Sequence, residues 1–147
     1  MSAPAPRRAA PPPARERDSE EWWQALARHE LLLQRCDACA ALRWPARALC
    51  NRCGALAWSW QRASGRGRVA SWIVNRHEFG SGPESPYVVL YVRLDEQDDL
   101  LLPGGFAGPA DGAGLAVGRA LVAEFEDLAA PAGEPPLALL RWRLARA

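Results

Sequence analysis

The sequence predicts a mainly β protein made of one short N-terminal helix, a four-cysteine ribbon and a small closed or nearly closed barrel. Three observations carry that expectation. The four cysteines fall in two Cys-x-x-Cys pairs, Cys36 with Cys39 and Cys50 with Cys53, separated by ten residues. Apolar residues recur at helical spacing only before them, at Trp22, Trp23, Leu26 and Ala27. After them come five alternating or continuous apolar runs with Gly-rich corners, a barrel pattern.

The elements follow in chain order. Residues 1–17 hold Pro, Ala and Arg with no aromatic or branched apolar side chain, so this segment is expected to be a disordered tail. Asp18 with Glu21 has capping-box spacing, with Ser19 as the alternative cap, and the helix should run to about His29. Its two tryptophans either pack on the ribbon or dock a partner. Leu31–Arg35 and Leu42–Trp44 read as strands flanking the first cysteine pair. Leu56–Arg62 follows the second, with Trp58 and Trp60 on one face. Residues 18–62 are thus expected to form the helix and ribbon, and 63–147 the barrel.

Within the barrel, Gly65 should turn the chain into Arg68–Arg76, and Phe79–Pro86 forms a loop. Tyr87–Leu94 is apolar enough to be buried on both faces. Asp95–Asp99 reads as a solvated hairpin tip leading to Leu100–Leu102. Residues 103–114, with five glycines, are expected to be a loop, and Ala120–Glu126 and Leu137–Leu144 are the last strands.

Each Cys-x-x-Cys spacing lets two thiolates converge from one tight turn, and two such turns close a tetrahedron of sulfurs. All four cysteines are used, and four thiolates leave no open coordination position. The expected cofactor is therefore one structural Zn²⁺, with iron in a rubredoxin-like site as the alternative. Arg35, Arg43, Arg47 and Arg52 are near enough in sequence to offset the cage's negative charge.

Composition narrows the function. The formal charge is +1 from 18 basic and 17 acidic residues, and every basic residue is Arg. That balance weighs against an electrostatic nucleic-acid binder, although Trp72 and Tyr87 would be its stacking platforms. No apolar run reaches the roughly 20 residues of a membrane span. Arg7-Arg8 is not followed by an apolar export segment, so a cytoplasmic location is expected. There is no phosphate-binding Gly-rich loop and no nucleophile elbow. The chain therefore reads as having no catalytic residues of its own. His77 lies after the first barrel strand beside Arg76, either as a polar loop residue or at the edge of a ligand groove.

Several stretches together resemble the zinc-ribbon/OB-fold proteins associated with acyl-CoA metabolism. They are Trp22-Trp23, Leu31-Leu-Leu-Gln-Arg-Cys-Asp-Ala-Cys39, Leu42-Arg-Trp-Pro-Ala-Arg47 and Cys50-Asn-Arg-Cys-Gly54. Gly65-Arg-Gly-Arg-Val-Ala-Ser-Trp72, His77-Glu-Phe79, Pro86-Tyr-Val-Val89, Val92-Arg-Leu-Asp95 and Gly118–Glu126 continue the likeness. It spans about residues 18–144. The resemblance implies a rubredoxin-like zinc ribbon and an OB-fold barrel. It also implies an accessory subunit beside a thiolase-like or lipid-transfer-type enzyme, or less readily a MaoC-like hydratase, with acyl-CoA at the interface. Within that reading, charge and position around the barrel entrance make Arg66, Arg68, Arg76 and His77 candidates for an acyl-CoA or partner rim. Trp22, Trp23 and Leu26 are candidates for a partner-docking helix. Leu101-Leu-Pro-Gly-Gly105 and the insert Ala129–Pro136 depart from the family pattern.

Overall fold

The structure, a computed structural model, describes residues 18–79 and 83–146. The expected tail, residues 1–17, lies outside them. Helix α1 (Glu20–Ala27) starts after Ser19, the alternative of the two expected cap positions, although the Ser19 side chain makes no capping hydrogen bond. Its apolar side, Trp22, Ala25 and Leu26, is buried, mainly against the barrel and in part against the ribbon. It ends at Ala27, with Arg28 as the C-cap, and the positive φ of 59° at His29 then turns the chain off the helical path. The His29 ring stacks on Phe125, and its Nε2 lies 2.8 Å from Asp127, which fixes the helix end to the barrel.

The ribbon is a three-stranded antiparallel sheet in the order β2-β1-β3, from β1 (Leu32–Cys36), β2 (Leu42–Arg43) and β3 (Trp58–Arg62). Trp58 and Trp60 share a face as the alternation requires, with ring centroids 5.2 Å apart. Beneath the sheet the buried Gln34 Oε1 accepts from Arg43 Nε and from the Arg47 backbone N–H, both at 2.8 Å. Arg43 also donates to the Arg47 carbonyl. A polar residue this deep must be hydrogen-bonded to be tolerated, and here one oxygen takes two donors.

The barrel strands are β4 (Arg66–Asn75), β5 (Tyr87–Leu94), β6 (Leu101–Phe106), β7 (Ala120–Leu128) and β8 (Leu137–Leu144). They close in the order β4-β5-β6-β8-β7, and β4 pairs with β7 to seal the sheet. This is the OB arrangement, a five-stranded Greek-key barrel. Val69, Leu90, Val92, Leu102, Leu121, Leu140 and Trp142 fill it.

Three expectations change. β6 continues through Pro103-Gly104-Gly105 to Phe106, where a loop was expected. These glycines serve contact rather than turning. A Cβ on Gly104 would lie 2.7 Å from the Trp142 indole, and one on Gly105 would collide with the Arg141 side chain. β5 is buried on one face only, because among the described residues none covers the side carrying Tyr91.

The hairpin tip is not simply solvated. The Gln97 amide donates to the Leu42 carbonyl and accepts from the Leu42 N–H, each at 2.9 Å. Asp99 pairs with Arg52, and the Ser64 N–H donates to Glu96. The β5–β6 tip therefore clasps the ribbon to the barrel. Among the described residues no helix is long and apolar enough to cross a membrane.

Candidate metal centre and partner surface

Both knuckles are built by the same hydrogen bonds. In the first, the Ala40 N–H donates to the Cys36 carbonyl and the Cys36 N–H to Ala41, each at 2.9 Å. In the second, Gly54 donates to Cys50 and Cys50 to Ala55, again at 2.9 Å. The residue after each pair takes positive φ, 62° at Ala40 and 76° at Gly54, which turns the chain back beneath its cysteines. Two short turns thus present four sulfurs to one point.

The sulfurs fit a metal cage. Cys36 and Cys53 Sγ are 3.6 Å apart, Cys39 and Cys50 Sγ 3.8 Å, and all four lie within 4.8 Å of one another. A tetrahedron with Zn–S bonds of about 2.3 Å has edges of about 3.8 Å. Cys36 and Cys50 are buried, while Cys39 and Cys53 reach the surface.

The knuckle amides favour thiolate. The Cys39 N–H, then that of Ala38, pull the Cys36 thiol down. The Cys53 and Arg52 amides bring Cys50 to about 6. For Cys53 the Ala55 amide lowers the thiol, but the neighbouring sulfurs and burial outweigh that and push it up to about 11. Four thiolates this close repel one another, and a divalent cation at their centre removes the conflict. The chain is a zinc ribbon whose four cysteines form the site of one structural zinc ion.

Of the four expected charge-balancing arginines, Arg52 is the one tied to the cage. Its pKa is raised, first by Asp99 and then by Cys39 and Cys50. Arg43 is turned inward to Gln34.

The remaining candidates separate. Trp22 and Leu26 of the expected docking helix are buried within the chain, and Trp23 is half-buried. Trp22 meets Trp23 edge-on at 4.7 Å and Trp44 at 6.0 Å. This tryptophan cluster borders two adjoining grooves. One, of ≈ 380 Å³, is floored by Pro103, Gly104, Gly105, Leu139, Leu140 and Arg141, and the other, of ≈ 250 Å³, opens toward Asp18 and Pro45.

Arg66 and Arg68 stand at the start of β4, whereas Arg76 and His77 follow its end, so the four do not share one rim. Arg68 donates to the Gly118 carbonyl, and His77 packs edge-on with Phe79 at 4.9 Å. Trp72 is half-buried and packs against the core, and Tyr87 is half-buried on the opposite face of the sheet. Sequence reasoning missed Gln34, Gln97, Trp44 and Tyr91. Only Tyr91, at alternating spacing in an apolar strand, left a signal.

Comparison with known proteins places this architecture. Residues 23–59 match the family described as the rubredoxin-like zinc ribbon domain of ChsH2. Residues 60–126 match its C-terminal OB-fold domain. A chain in the solved structure described as the Ltp2-ChsH2(DUF35) aldolase is 33% identical, with a TM-score of 0.75 over 90% of this chain and 98% of that one. A Sulfolobus solfataricus DUF35 protein of unknown function shares the fold, at 16% identity and a TM-score of 0.58 over 88% of this chain and 86% of that one.

Two curated relatives are the probable enoyl-CoA hydratase alpha subunit of Thermomonospora curvata and the 3-oxo-4,17-pregnadiene-20-carboxyl-CoA hydratase alpha subunit of Mycobacterium tuberculosis. The first is 41% identical over 65% of this chain, the second 32% over 84%. This chain spans only 30% and 39% of their respective lengths. With the four-cysteine cage, the OB barrel and these matches together, the chain belongs to the ChsH2 (DUF35) family of zinc-ribbon/OB-fold proteins.

Proposed function

We propose that this chain is a non-catalytic accessory subunit of a lipid-processing enzyme. It docks on a thiolase-superfamily partner of the lipid-transfer type and helps form that partner's acyl-CoA site. The observation that carries the reading is the likeness over 98% of a chain in the solved structure described as the Ltp2-ChsH2(DUF35) aldolase. Support comes from the closed sulfur cage, which gives the metal a structural role. The curated relatives' names add a CoA thioester context, and they keep a hydratase partner as the lesser alternative.

Arg66 and Arg68 at one end of β4, and Arg76 and His77 at the other, are proposed to meet acyl-CoA or the partner at separate points. Co-expression with a lipid-transfer-type thiolase-fold subunit, followed by light scattering after size exclusion, tests the assembly. A single co-eluting complex with acyl-CoA turnover absent from either chain alone is expected. Arg66→Glu and Arg76→Glu should cut that turnover several-fold with zinc content unchanged. Separate elution, or full turnover by the partner alone, rejects the reading.

A further inference from the structure

The outer wall of the barrel has two unlike halves. On β7 and β8 it is charged and internally paired, with Arg141 on Glu126 at 2.6 Å and Arg143 on Glu124 at 2.8 Å. On β4, β5 and β6, past the outward arginines Arg66, Arg68 and Arg93 at one end, the outward positions are Ser71, Ile73, Asn75, Tyr87, Val89, Tyr91, Leu101, Pro103 and Gly105. Ser71 pairs with Tyr91 and Tyr91 with Pro103, while Ile73 pairs with Val89 and Val89 with Gly105. None of these nine is charged. Ile73 is 63% exposed, Tyr91 47% and Leu101 38%. An uncharged face carrying aliphatic and tyrosine side chains has the make-up of an interface core, and it lacks the cationic groove that nucleic acid requires.

Area and charge specify what covers it. Three strands about 4.8 Å apart and some five residues deep make a face on the order of 240 Å². A stable interface takes about 800 Å² from each partner. Pro103 and Gly105 carry the face directly into the ≈ 380 Å³ groove beside Trp23 and Trp44. A partner must therefore extend from the strands into that groove.

The border is cationic. Arg68 and Arg93 pair across β4 and β5 at one end, whereas Arg141, which lies over Gly105 at the side, already has Glu126 as its carboxylate partner. Arg68 and Arg93 each donate to a backbone carbonyl, of Gly118 and Asp98, and neither has a carboxylate partner among the described residues. A second copy placed on this face by a two-fold axis would bring arginine borders together. A different protein with an apolar surface edged by carboxylates fits instead.

We propose that the β4–β5–β6 outer face, continued into the Trp23/Trp44 groove, is where this subunit binds its enzyme partner. The inference rests on the accessory-subunit reading and adds the face and its chemistry. The test measures binding of the full chain to the Ltp2 subunit of the solved Ltp2-ChsH2 pair by calorimetry. Variants Ile73→Glu, Tyr91→Glu and the milder Tyr91→Ser are compared with Glu124→Gln on the opposite wall. Zinc per chain and a cooperative melt certify each fold. Binding at least 10-fold weaker for both glutamate variants, intermediate for Tyr91→Ser and unchanged for Glu124→Gln is expected. Wild-type binding with every variant within twofold overturns the face and leaves the accessory reading standing. No wild-type binding overturns both. Wild-type self-association that Tyr91→Glu abolishes assigns the face to a second copy and overturns the proposed partner.

Discussion

Ala40 and Gly54 follow the two cysteine pairs at equivalent places, and both take the left-handed conformation. Only the second is a glycine, so the first knuckle carries strain that the second avoids. An L-residue in this region costs roughly 1–2 kcal/mol, partly offset because glycine loses more backbone freedom on folding. Ala40→Gly should therefore stabilise the zinc-loaded protein by about 0.5 kcal/mol, and Gly54→Ala should destabilise it by about 1 kcal/mol. Denaturant titration of the loaded chain checks both signs. The requirement for a turn after each cysteine pair was legible from the spacing. That Ala40 carries the same φ as Gly54 was not, because an alanine gives no sequence mark of a left-handed residue.

The β5–β6 hairpin is the element that most departs from its sequence reading. Its acidic tip looks like a solvated turn, yet Gln97 extends the edge of β2 by pairing with both backbone groups of Leu42. Gln97→Ala leaves a donor and an acceptor without their partner at a part-buried edge and should cost about 1–3 kcal/mol, read from the urea midpoint. Gln97→Glu keeps the acceptor and loses the donor, so it should fall between. The neighbouring Asp99 adds a pH dependence. Arg52 holds its carboxyl below the ordinary value, so its folded pKa is depressed. Its contribution is present above an unfolded value of about 4 and disappears as pH falls through the lower folded one. Asp99→Asn should remove that acid-side loss, and a pH series of melting temperatures shows whether it does. Strand β6 makes the same point about context: its Pro-Gly-Gly run reads as loop until Trp142 and Arg141 are known to lie against it.

Across the whole molecule, the ribbon, helix and barrel are joined by packing and by the hairpin clasp. The helix is seated on β8 with Trp22, Ala25 and Leu26 buried, and the hairpin clasp joins the second knuckle to the barrel. Zinc removal should therefore be felt beyond the ribbon. Metal analysis should find one zinc per chain in a colourless protein. Chelation, or Cys36→Ser, should abolish the ion and increase amide exchange at β1–β3 and at the β5–β6 tip, with less change in β7–β8. Uniform exchange across the barrel with and without metal would show that the clasp transmits nothing.

The sequence by itself determined the zinc cage, the order of helix, ribbon and barrel, and most strand positions. Those features depend on spacing within a few residues: two thiolates on one turn, apolar side chains at period two, glycines at corners. Tertiary structure alone decided which side of β5 stays uncovered, which tryptophans are spent inside the fold, and that the acidic hairpin tip grips the ribbon. Such outcomes depend on groups distant in sequence, as with Leu42 and Gln97, 55 residues apart. No local period encodes which surface another element will reach.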